Sequence, residues 1–86
     1  MPKIPSNKEI QNKMVELVKE KGPLRVSDLQ RETQITFGFS IQDYPDHLIP
    51  QMTLRRCVAD LLDNRELIIT LDRKLGLEST EVKPAS

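Results

Sequence analysis

The sequence predicts an α+β fold, mostly α, with three helices, a long insert between the second and third, and a C-terminal β-hairpin. Three observations predict it. Apolar residues recur at helical spacing in three separate stretches. After Asn64-Arg65 the pattern switches to period two, in Leu67, Ile69 and Leu71 and again in Leu75 and Leu77. A length of 86 residues, 37% hydrophobic and 30% charged, suits one small domain with a single modest core.

Met1 to Pro5, with prolines at 2 and 5, reads as a frayed leader, and the expected domain spans 6–78. Ser6-Asn7-Lys8-Glu9 fits a capping box, in which a serine and a glutamate satisfy free backbone donors at a helix start. Ile10, Met14, Leu17 and Val18 then follow on one face to about Lys21, where Gly22-Pro23 ends the helix. Leu24 to Val26 can add a brief strand. Ser27-Asp28-Leu29-Gln30 reads as a second capping box opening a short helix through Thr33, with Leu29 inward and Asp28, Gln30 and Arg31 outward. The third helix, Gln51 to Asn64, carries Leu54, Val58, Leu61 and Leu62 on its buried face with Cys57 beside them. A hairpin follows, Leu67 to Leu71 and Leu75 to Leu77, with Asp72-Arg73-Lys74 at its tip. From Ser79 onward the chain has little to bury, and 79–86 reads as a loose tail.

The insert, Gln34 to Ile49, is longer than such a connection needs. It holds all three aromatics, Phe37, Phe39 and Tyr44. Ile35, Phe37, Phe39 and Ile41 alternate with Thr36, Gly38, Ser40 and Gln42 in a strand pattern. Either the aromatics complete the core from a loop, or an exposed strand pairs with a second copy or another partner through Phe37, Phe39 and Tyr44.

The third helix and the hairpin tip carry the chemistry. With Leu54, Val58 and Leu61 inward, the opposite face presents Met52, Arg55, Arg56, Ala59 and Asp60, with Gln51 and Thr53 at its entrance. Arginine can grip guanine with two hydrogen bonds, glutamine can pair with adenine, and threonine can touch a thymine methyl or a phosphate. Pro50 suits a helix start, and uncapped donors there can receive a phosphate. Arg73 and Lys74 at the tip can reach neighbouring phosphates. The competing reading is a solvated face in which Arg56 and Asp60 pair at i, i+4. Lys8, Lys13 and Arg25 can add backbone contacts.

The order helix, short strand, helix, helix, two-stranded hairpin resembles the winged helix-turn-helix superfamily over Asn7 to Glu78. Val26-Ser27-Asp28-Leu29 looks like the start of that family's second helix. Thr53 to Ile68 looks like its recognition helix running into the wing. The insert is longer than the family's usual turn, and Arg65 stands where members often have glycine. The resemblance implies a double-stranded DNA-binding regulator of transcription, often a homodimer. It equally admits a protein-docking module or assembly subunit.

Other classes fare poorly. Thirteen basic and thirteen acidic residues leave no basic block for bulk polyanion binding. One cysteine excludes an intrachain disulfide, and no apolar run approaches the roughly 18 residues of a membrane span. A soluble intracellular, cytoplasmic protein is therefore expected. Cys57 lies beside the core face, and His47, with Asp43 and Asp46, matches no metal-ligand spacing. Neither an enzyme nor a metal or cofactor site is expected.

Overall fold

The computed structural model describes residues 4–39, 49–70 and 76–85. Helix α1 runs Asn7–Lys21, as its periodicity requires. Ser6 caps it, its Oγ accepting the Glu9 N–H at 3.2 Å. Gly22, at φ 83, closes it with its N–H on the Val18 carbonyl, a left-handed backbone suited to glycine. Ile10, Met14, Leu17 and Val18 face the core.

Strand β1 is Leu24–Arg25, and helix α2 follows at once as Val26–Thr36. The expected capping box at Ser27 does not form. Arg25 holds the cap position without a side-chain bond. The Val26 N–H is met instead by the Thr80 carbonyl at 2.8 Å. The helix begins two residues before the start that a Ser27 cap would set, and its inner stripe is Val26, Leu29, Gln30, Thr33 and Gln34. Gln30, expected to face outward, is therefore buried.

Helix α2 also runs past Thr33 through Ile35 and Thr36, where the alternation of apolar and polar residues predicts a strand. Phe37 is its C-cap, Gly38 sits at φ 88, and the chain then turns inward. The Gly38 N–H reaches the Ile35 carbonyl and the Phe39 N–H the Gln34 carbonyl, at 2.9 and 2.8 Å. This paired closure is a Schellman motif, which commonly drives the following apolar residue against the helix end. Phe39 is accordingly only 3% exposed within the core, and Phe37 packs half-buried against it. The alternation over 35–39 is a helix end, and Phe39 has no free ring to offer a partner. Tyr44 lies outside the described residues.

Helix α3 spans Gln51–Asp63 behind Pro50 and buries Leu54, Cys57, Val58 and Leu61. It ends in a second Schellman motif, with Arg65 N–H on the Leu62 carbonyl and Glu66 N–H on the Leu61 carbonyl, at 3.1 and 2.9 Å. Arg65 takes the left-handed position, φ 60.

The sheet departs most from expectation. Strand β2, Leu67–Ile69, pairs antiparallel with β3, Glu81–Pro84, rather than with 75–77. Leu77–Ser79 forms a single 3-10 turn. The segment expected as a loose tail thus supplies the middle strand, in the order β1-β3-β2. Val82 faces Leu24 on one side and Ile69 on the other and is fully buried. One inward valine was too weak a pattern to outweigh the polar residues around it. Pro84 is tolerated in a middle strand because β1, whose Leu24 pairs with Val82, starts too late to lie beside it. The fold is α+β: among the described residues, three helices pack against a small antiparallel sheet and share one core.

Candidate nucleic-acid interface

The first turn of α3 contains no acidic residue and no side-chain cap. Packing Leu54, Val58 and Leu61 inward leaves Met52, Arg55 and Arg56 exposed, with Thr53 and Ala59 half-buried between them. Met52 is 79% exposed, the barest large apolar side chain among those described. Met52, Arg55, Arg56, Ala59 and Asp60 line an open groove whose far wall is Leu77. Met52 and Arg56 also border a second hollow with Asn7 and Thr53. The two side chains form a ridge between hollows.

The two arginines differ in their surroundings. Arg55 Nε lies 3.3 Å from Glu78 Oε1, a carboxylate on the 3-10 turn Leu77–Ser79. Among the described residues no carboxylate lies within 4.0 Å of Arg56, and the i, i+4 pair with Asp60 is not formed. Arg56 is exposed on this face. Lys13 pairs with Glu16 at 3.3 Å, while Lys8 and Arg25 are exposed. Arg73 and Lys74 lie outside the described residues.

Gln51, at the exposed start of α3, is tied down. Its Nε2 donates to Gln30 Oε1 on α2 at 2.7 Å. One turn along α2, Gln34 Nε2 donates to the Ile49 carbonyl at 2.8 Å. Two buried glutamines therefore fix the entrance of α3, one through backbone and one through Gln51. The sequence held the signal for them: Val26, Leu29, Gln30, Thr33 and Gln34 follow a single i, i+3, i+4, i+7, i+8 stripe. Only Val26 and Leu29 on that stripe are apolar, and its three polar positions hid it.

Cys57 is fully buried, and its Sγ lies 3.8 Å from the Asn7 carbonyl. Burial, and secondarily the Asp60 charge, push its thiol above the ordinary value of 9.0, the reverse of what a nucleophile needs. His47 lies outside the described residues. Among those described, no cluster of three His, Cys, Asp or Glu side chains could hold a metal, and no helix is long and apolar enough to cross a membrane.

Comparison with family models, with curated proteins and with solved structures returns no match.

Proposed function

We propose that the chain is a sequence-specific double-stranded DNA-binding protein of winged-helix type, a small transcriptional regulator acting as a homodimer. In this reading α3 lies in the major groove and the segment that follows β2 serves as the wing. The observation that carries it is the outer face of α3. Arg56 is free of described carboxylates, Arg55 stands beside it, and no acid occupies the first turn. Ala59, small and half-buried one turn on, leaves room for a groove wall to approach. The order of elements, helix, strand, helix, helix, strand, strand, supports the winged-helix arrangement.

Fluorescence anisotropy with a labelled random-sequence duplex across a salt series tests the reading, beside a variant carrying Arg55→Ala, Arg56→Ala, Arg73→Ala and Lys74→Ala. Each phosphate contact contributes about 0.9 to the slope of log affinity against log salt. The wild type should bind at low salt with a slope the variant largely loses. No binding at low salt would reject the proposal.

Exposed Met52 and the balanced charge favour one alternative, a winged-helix module that docks a protein. Methionine adapts its shape to a partner, and a surface of zero net charge has no bulk attraction to polyanions. That contact would use the Met52 ridge of α3. The aromatic segment is less suited to it, since Phe39 belongs to the core.

A further inference from the structure

We propose that Gln30 is a positioning residue for base recognition, holding the amide of Gln51 so that it reads adenine. The inference rests on the DNA-binding reading above. Gln51 is exposed at the start of α3, where an unrestrained glutamine would sample many rotamers. The 2.7 Å bond to Gln30 Oε1 uses one N–H of its amide. The other N–H and Oε1 of that amide take part in no hydrogen bond among the described residues. A donor and an acceptor side by side on one amide match N7 and the N6 amino group of adenine in the major groove.

Gln30 is ill suited to a purely structural role. Its side chain is 4% exposed, and its Nε2 is buried with no hydrogen-bond partner among the described residues. Leaving an amide donor buried and unpaired is unfavourable, and an unbranched apolar side chain of similar size would fill the same space without that penalty. Gln34 likewise leaves its buried Oε1 unpaired while its Nε2 holds the Ile49 carbonyl, whereas Thr33 between them is satisfied, its Oγ1 donating to the Leu29 carbonyl at 2.7 Å. What the Gln30 amide supplies is its one acceptor, and that acceptor is spent on Gln51. Gln34 completes the arrangement by holding Ile49, so the backbone leading into Gln51 and the Gln51 side chain are both anchored to α2.

The test begins with selection of binding sites from a pool of random-sequence duplexes by the full-length wild-type chain. Anisotropy titrations then compare the selected duplex with versions in which each adenine is replaced, for wild type, Gln51→Ala, Gln30→Met and Gln30→Glu. Wild type should favour adenine at one position by about tenfold, and Gln51→Ala and Gln30→Met should bind the two duplexes within about twofold of each other. Gln30→Glu keeps the acceptor, so it should keep the adenine preference while its charge lowers affinity for every duplex alike. Thermal melts should place Gln30→Met at or above the wild type. Adenine preference retained in Gln30→Met, or lost in a folded Gln30→Glu, would overturn the positioning role while leaving DNA binding intact. A Gln30→Met chain that melts well below wild type would also overturn it, since the amide would then be structural. A wild type that retains no duplex at low salt would remove the DNA-binding reading and this inference together.

Discussion

At the residue scale, Arg55 and Arg56 are adjacent in sequence and unequal in availability. Arg55 has to release Glu78 before it can grip a phosphate or base, and an exposed pair of that kind is worth about 0–1 kcal/mol. Arg56 has no such bond to give up among the described residues. Arg56→Ala should therefore weaken specific DNA binding by ~1–3 kcal/mol, and Arg55→Ala by less; side-by-side titrations on one duplex check the ranking. Cys57 gives a second prediction. Its raised thiol pKa means that the unfolded chain ionises first as pH climbs, so stability falls as pH rises above the ordinary value of 9.0. Denaturation midpoints at rising pH should decline in wild type and decline less in Cys57→Ala. Thiol labelling should proceed only on unfolding, because the sulfur is fully buried.

At the element scale, two helix ends share one hydrogen-bond pattern with different residues at the left-handed position. Gly38 meets that backbone without strain, whereas Arg65 holds it with a Cβ. Arg65→Gly should stabilise the fold by about 0.5 kcal/mol, the relief of strain outweighing added freedom in the unfolded chain, and Gly38→Ala should destabilise it by about 1 kcal/mol. Chemical denaturation of both variants checks the opposite signs. These ends also show what the sequence conveyed. The faces of α1 and α3 were legible because Ile10, Met14, Leu17 and Val18, and Leu54, Val58 and Leu61, repeat at helical spacing over several turns. The outer face of α3, with Arg55, Arg56 and Met52, followed directly from that. The frame of α2 was not legible, because Ser27-Asp28 imitates a cap that a carbonyl near β3 makes unnecessary. Gln30 and Gln34 went unread because only Val26 and Leu29 on their stripe are apolar. Gly38 between two phenylalanines looked like strand alternation because helix-end geometry also places alternate residues inward.

At the scale of the whole molecule, a small core depends on a strand that local pattern did not reveal. Val82 is the inward side chain of a four-residue strand, and its partners lie far away in sequence, in β1 and β2. Such pairing is set by tertiary contacts rather than by β-propensity. A domain of this size holds only about 5–10 kcal/mol of stability. Val82→Asp, which buries a charge with no counter-ion, should cost about 3 kcal/mol or more. Circular dichroism should show a melt shifted far downward, whereas a truly loose tail would leave it unchanged. DNA binding should fall with it, because Leu77, which lines the groove beside α3, and Glu78, which pairs with Arg55, stand just before the same strand.

The middle place of β3 also governs the order in which the chain can assemble. Among the described strands β1 and β2 share no edge, since each hydrogen-bonds to β3. During synthesis, the residues of all three helices leave the ribosome while both outer strands still lack a neighbour. Helix packing can begin then, but the sheet cannot close until residues 81–84 emerge. Until that moment the nascent chain carries two open strand edges, one bearing the exposed Ile68, which makes the interval before the last strand arrives its most aggregation-prone stage.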